Sequence, residues 1–357
     1  MTADARPGVL LLSSNLRRRY AEDILTALSL PRGALLRFRY EAEYVAPDLQ
    51  TCIADGSVIG RRTVIAFVAD ADGSEPFLIP IRLASVVRTE KVADMIVLQL
   101  SVEDYANLED LPLTAPELAS AGKAWLDKLR ERNGGRYFPA VTKFPDLHIH
   151  DGGDDDAKWL GIARRLSMHE TFANSYFMRV AQPLLGNGTA MGFDRKGRLV
   201  ISDRLSARLP VVFYSKKYSD DVPRTLSCTT DGTFLRVSSD DAYDVASRYD
   251  SVEFWLQPET MSFDAMTRVT LRLGGPQAEN TASGSRALTT HAWFPVIVRR
   301  SRSRLSFRVG SSIAGAFLVA VPAILGQDSP LQVRILAAFA GAACIAYSTV
   351  VAARGGR

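Results

Sequence analysis

The chain has 357 residues, 47% hydrophobic and 23% charged, with a formal net charge of +4; that length is enough for two or three domains with real cores. The basic excess is local: residues 299–357 hold eight of the 43 basic and one of the 39 acidic residues, leaving 35 against 38, net −3, in residues 1–298. This distribution excludes a generally basic, nucleic-acid-binding character, and three cysteines without paired spacing, Cys52, Cys228 and Cys344, exclude a disulfide framework or zinc ribbon and fit a reducing compartment.

Val9–Leu12 is a run of only four apolar residues followed by Arg17-Arg18-Arg19, too short for the core of a signal peptide, and it reads as a first strand. Asn15 then caps a helix in which Leu16, Tyr20, Ile24 and Leu28 fall four apart on one face, and Pro31 and Gly33 end it. Leu36, Phe38 and Tyr40 alternate with Arg37 and Arg39, the pattern of a half-buried strand with a basic outer edge. Thr63–Ala69, Phe77–Val87 and Met95–Leu100 add three strands, and the expected result is a small barrel or strongly bent sheet with the early helix packed on it.

Leu111 to Pro116 reads as a stiff connector, and Pro116–Asn133 as a helix stopped by Gly134-Gly135. A second helix is expected from about Asp156 to Phe177, with Asp154, Asp155 and Asp156 at the end where the helix dipole favours negative charge. From Arg198 to Val298 six or seven candidate strands recur at sandwich-like spacing, and Asp231-Gly232 between two alternating runs predicts a type I′ hairpin.

Val309–Gly326 and Leu331–Ala353 are nearly uncharged and long enough, as helices, to match a hydrocarbon core of roughly 30 Å. Arg299, Arg300, Arg302, Arg304 and Arg308 before the first run would hold both ends of a two-span hairpin in the cytoplasm. Small residues four apart, Gly310 with Ala314, Ser311 with Gly315 and Ala337 with Gly341, would let the spans pack closely and protomers self-associate. The alternative is a pair of buried core helices.

The fold class expected is therefore mainly β with a few helices (α+β). A β barrel or bent sheet spans 1–112, a helical connector 113–147, and a helix with a β-sandwich 148–298. A basic segment, 299–308, and an inner-membrane hairpin, 309–353, complete the chain. Candidate sites are sparse. His148, His150 and Asp151 alternate as strand-borne metal ligands would, but no metalloprotease motif follows at His169-Glu170, and a polar loop explains them as well. The Gly186-Asn187-Gly188 stretch leads into a strand, so it lacks the helix N-terminus of a phosphate loop. Arg37 and Arg39 with Tyr40 and Tyr44, and Lys216 and Lys217 with Tyr214, are candidate binding sites for an anion, a nucleotide or a phosphorylated ligand; solvated strand edges are the plainer reading.

No motif asks for an enzyme or for a cofactor. The reading that follows is a non-enzymatic sensor, its β domains taking up a ligand or protein partner and its hairpin acting on the lipid bilayer, the architecture of membrane-disrupting bacterial defence effectors. Nucleic acid is not among the expected partners. The alternatives are a passive inner-membrane anchor and, third, a metal-dependent hydrolase built on the His148 region.

Overall fold

The computed structural model describes residues 8–69, 77–106, 123–144, 154–217, 224–238, 240–259, 263–274 and 288–300, with a few helical positions between 316 and 346. Sixteen described strands make the chain mainly β. They form one six-stranded sheet and two five-stranded sheets.

The first sheet has the order β2(Leu35–Glu41)–β5(Met95–Tyr105)–β4(Phe77–Val92)–β3(Arg62–Ala69)–β1(Gly8–Ser14)–β6(Ala140–Phe144). β1 pairs parallel to β3 and antiparallel to β6. A strand flanked on both sides inside a covered sheet needs apolar residues on both faces, which explains the unbroken Val9–Leu12 run: each is at most 2% exposed. Val9 and Leu11 join the core on the side of helix α1(Arg18–Ser29), while Leu10 and Leu12 join a second core on the opposite face. That second core is closed by Trp125, Leu126 and Leu129 of helix α3(Lys123–Arg132).

The sheet is an open half-barrel whose two edges approach each other. Val45, just after β2, bridges Val141 of β6, and the Ala46 N–H donates to the Val141 carbonyl at 2.9 Å. Across the opening, the Tyr40 hydroxyl donates to the Leu12 carbonyl at 3.4 Å. Helix α2(Pro47–Ala54), which the sequence reading leaves out, follows at once; Pro47 at its first position suits a helix start.

The other two sheets are β12(Leu235–Val237)–β14(Tyr249–Pro258)–β10(Ala207–Ser215)–β7(Tyr176–Val180), with β8(Leu184–Leu185) beside β10, and β13(Ala242–Asp244)–β11(Thr225–Thr230)–β15(Ala265–Gly274)–β16(Thr290–Arg299)–β9(Leu199–Ser202). Alternate residues of both sheets, among them Leu209, Val211, Phe213 and Phe254 from one and Leu226, Val269, Leu271 and Phe294 from the other, are buried in one core.

Several expectations need correcting. The helix expected over Asp156–Phe177 is α4(Asp155–Leu166), capped by the Asp154 side chain, followed by a 3-10 turn and then β7. β7 is buried at every position, so it shows none of the alternation by which a half-buried strand is recognised. Asp231-Gly232 is not a hairpin: β11 pairs with β13 and β15 while β12 pairs with β14, so the turn carries the chain between sheets. Gly232 has no positive φ, which a type I′ turn requires.

The largest correction concerns the C-terminal end. Among the described residues no helix is long and apolar enough to cross a membrane. Ala316, Ile335, Leu336, Phe339–Ala343 and Ala346 are the helical positions described there, and a span needs about 20 continuous residues. The transmembrane hairpin, its inner-membrane location and the topology drawn from Arg299 and Arg300 are therefore not supported. Of the packing residues named, Gly341 is a described helical position. Gly310, Ala314, Gly315 and Ala337 lie outside the described residues, as do Arg302, Arg304 and Arg308.

Candidate functional site

Helix α1 joins the half-barrel to the paired sheets. Its buried residues Ile24, Leu25 and Leu28 belong to the core beneath β1, β3 and β4, and the same helix packs on β7 and β16. Two close approaches lock the halves at one end of this junction. Gly33, at φ +87°, lies under the Phe193 side chain, and Gly197, at φ +65°, lies under Leu35; a Cβ on Gly197 would come within 2.2 Å of Leu35 Cγ. At the other end Phe67 of β3 meets Phe172 edge-to-face at 4.9 Å, and Phe172 leads to Phe177 and Tyr214.

Beside these rings lies a buried cationic cluster that no sequence motif announces. The β4 ladder is irregular around Arg82: its register shifts between Ile65 and Ala66 on β3 and between Arg82 and Ala84 against β5. Bulges re-aim side chains, and here Arg82, 2% exposed, lies over its cross-strand neighbour Tyr105 with the guanidinium carbon 3.7 Å from the ring centroid. Arg82 Nε donates to the Glu103 carbonyl at 2.8 Å, whereas its Nη1 is buried with no hydrogen-bond partner. The Arg179 guanidinium of β7, 8% exposed as a residue, approaches the same ring at 5.5 Å and pairs with Asp156 in the first turn of α4. Burial, reinforced by the neighbouring Arg179, lowers the Arg82 pKa. Trp159, one turn after Asp156, is buried with its indole N–H unpartnered.

The Tyr105 hydroxyl donates to the Leu28 carbonyl at 3.0 Å, so the cluster ties β4, β5, α1, α4 and β7 together. It is a coupling element rather than an open pocket. The signal that would have found it is a lone arginine inside an apolar strand, in Ile79-Pro80-Ile81-Arg82-Leu83 and again in Tyr176-Phe177-Met178-Arg179-Val180.

The residues singled out from sequence fare differently. Arg37 and Arg39 are exposed on β2, the edge strand of the half-barrel. Arg39 is near enough to Asp23 of α1 to act on its carboxyl, as is Arg19. Asp23 is half-buried, and its pKa rises from 3.8 to about 6, burial outweighing the arginines. Tyr40 lies on the inner side of β2, its pKa raised by burial and by the nearby Asp23. Tyr44 belongs elsewhere, stacked on Phe138 at 5.1 Å with Arg132 over its ring at 5.7 Å.

Lys216 and Lys217 are exposed just beyond β10, on a different sheet from Arg37 and Arg39. His148, His150 and Asp151 lie outside the described residues; among those described, no three His, Cys, Asp or Glu are grouped to hold a metal. Gly188, at φ +87°, donates its N–H to the Leu185 carbonyl at 2.8 Å, forming a tight turn after β8.

No family model matches the chain, and no curated protein matches it. Among solved structures it is similar to the native conformation of E. coli alpha-2-macroglobulin, with a TM-score of 0.22 and 11% identity, over 76% of this chain and 22% of that one. The chain thus spans about a fifth of that protein's length, and the likeness carries no argument about function.

Proposed function

We propose that the chain is a non-enzymatic sensor in which an anionic small molecule, of the phosphate-bearing class, binds at the arginine edge of the half-barrel and is felt by the paired sheets. The observation that carries this reading is the position of α1. Its first turns place Asp23 within electrostatic reach of Arg19 and of Arg39 on β2, while its body packs on β1, β3 and β4 on one side and on β7 and β16 on the other. A charge taken up at that edge acts on a half-buried carboxyl of the helix that both halves share. Arg37 and Arg39 are both exposed on the edge strand, where a guanidinium fork can meet a phosphate.

Calorimetric titration tests the reading, using nucleoside mono-, di- and triphosphates with tripolyphosphate as a probe of charge alone. A phosphate-bearing compound that binds the wild type and binds Arg37→Glu/Arg39→Glu at least tenfold more weakly supports it. Binding that the double variant leaves unchanged, or no binding across the series, contradicts it. The same titration on Lys216→Glu/Lys217→Glu shows whether the second basic pair takes part.

A further inference from the structure

The outer face of the second five-stranded sheet is uncovered among the described residues, and its composition is unusual for a solvated surface. Along β15 the outward positions are Met266, Arg268, Thr270 and Arg272, and along β16 they are His291, Trp293, Pro295, Ile297 and Arg299. The register sets Thr270 opposite Trp293, Arg268 opposite Pro295, Met266 opposite Ile297 and Arg272 opposite His291. Val200 of β9 continues the apolar strip beside Ile297. Trp293 is 44% and Met266 65% exposed, and the Arg268 guanidinium carbon stands 4.8 Å from the Trp293 ring centroid.

Arginine, tryptophan and methionine are the residues enriched at the centres of protein interfaces, and lysine and the acids are depleted there. The outward rows of β15 and β16 contain no lysine and no acid, and the neighbouring outward positions of β11, Thr225, Ser227 and Thr229, are neutral. Acids reach this face at Asp244 of the edge strand β13, opposite Thr225 and accepting its hydroxyl at 3.4 Å, and at Asp231, from the turn after β11, 3.6 Å from Arg268 with both of those side chains more than half exposed. Such a pair contributes little and is easily exchanged for a partner's carboxylate. At about 4.8 Å per strand and about 3.3 Å per residue, β11, β15, β16 and β9 offer a face about 15 Å by about 30 Å. That is about 450 Å², a little over half of the ~800 Å² each partner buries in a standard interface, which suits a short segment.

We propose that this face docks an acidic protein segment, with an aromatic or aliphatic side chain seated against Trp293, Met266 and Ile297 and carboxylates reaching Arg268, Arg272 and Arg299. Self-association through the same face is disfavoured by charge, because a two-fold contact brings three arginines against three. A single-stranded nucleic acid would use the arginines and Trp293 but leave Met266, Pro295, Ile297 and Val200 without a role. The inference is independent of the ligand edge at Arg37 and Arg39.

The test selects a random library of displayed 12-residue peptides against the full chain and then measures the selected peptides by fluorescence anisotropy. Peptides rich in Asp and Glu with one large apolar residue are expected, binding at least tenfold more weakly to Trp293→Ala and to Arg268→Glu/Arg272→Glu and weakening as salt rises. Selected peptides that bind both variants unchanged overturn the proposal, as does a selection that yields no acidic peptides. Tighter Trp293-dependent binding of a labelled 12-mer oligothymidylate, or dimerisation in sedimentation that Trp293→Ala abolishes, overturns it too. The variant positions are exposed, and circular dichroism establishes that both variants remain folded; if Trp293→Ala does not fold, Met266→Glu takes its place in every arm.

Discussion

Arg82 stacks on Tyr105, its guanidinium carbon 3.7 Å from the ring centroid, and Tyr105 passes the constraint on by donating its hydroxyl to the Leu28 carbonyl of α1. A buried cation, a strand pair and the helix shared by both halves are thereby fixed by one aromatic ring. The stacking is the favourable part of the arrangement, and the buried Nη1 without a partner is the costly part.

These two parts are separable by substitution. Arg82→Ala loses the stacking and leaves a cavity, and a loss of about 2–4 kcal/mol is expected in urea denaturation. Arg82→Met fills most of the volume and removes the unpartnered donor, so it is expected to cost less than about 1.5 kcal/mol or to stabilise. Tyr105→Phe keeps the ring and loses the Leu28 hydrogen bond, at about 1 kcal/mol.

The contact between Gly197 and Leu35 gives a prediction of steric origin. Gly197→Ala places a Cβ in a left-handed conformation and against Leu35 Cγ, so a destabilisation of about 2–4 kcal/mol is expected. Adding Leu35→Ala removes the overlaps with Leu35 Cγ and Cδ1 and leaves a tight 3.0 Å contact with its Cβ. The double variant should be more stable than the sum of the single losses implies by at least about 1 kcal/mol, measured as a double-mutant cycle.

Asp23 predicts a pH dependence. Its pKa is about 6 in the folded chain against 3.8 as the ordinary value, so between those values the folded state holds a proton that the unfolded state has released. Stability attributable to Asp23 is therefore greatest below pH 4, falls as pH rises toward 6 and is level above about 6.5. With the carboxyl partly exposed, the total change is about 1–2 kcal/mol. Asp23→Asn should flatten this part of the stability profile, as read by chemical denaturation from pH 4 to pH 7.

The cysteines should differ in reactivity. Cys228 is buried between β13 and β15, and burial, with a smaller effect of Asp241, pushes its thiol up to about 12. Cys52 is partly exposed in α2, within 3.5 Å of Arg61. Iodoacetamide at pH 8 followed by peptide mapping is expected to show Cys52 modified and Cys228 protected until the chain is unfolded.

What the sequence reveals and what it hides follow from how local each signal is. β2 is legible because Leu36, Phe38 and Tyr40 alternate with exposed arginines, and α1 because Tyr20, Ile24 and Leu28 fall four apart, although it starts at Arg18 with Arg17 at its N-cap, so Asn15 does not cap it and Leu16 precedes it. β7 is hidden because all its positions are buried, and the sheet exchange at Asp231-Gly232 because pairing partners lie tens of residues away. The apolar runs after residue 309 read as spans because apolar length is visible in sequence, whereas among the described residues no helix is long and apolar enough to cross a membrane. Of the candidate site, Arg37 and Arg39 are visible as an edge, whereas Asp23 joins them only once α1 is laid across the half-barrel. Arg82 and Arg179 meet at one ring only through the β4 irregularity and the packing of β7.

The central claim is that occupancy of the arginine edge is transmitted through α1, and hydrogen–deuterium exchange of the full chain with and without saturating tripolyphosphate tests it most directly. The account predicts slowed exchange in β2 and the first turn of α1, together with a change in β7 and β16, all absent in Arg37→Glu/Arg39→Glu. Protection confined to β2, or exchange in β7 and β16 that is the same with and without the probe, would contradict it.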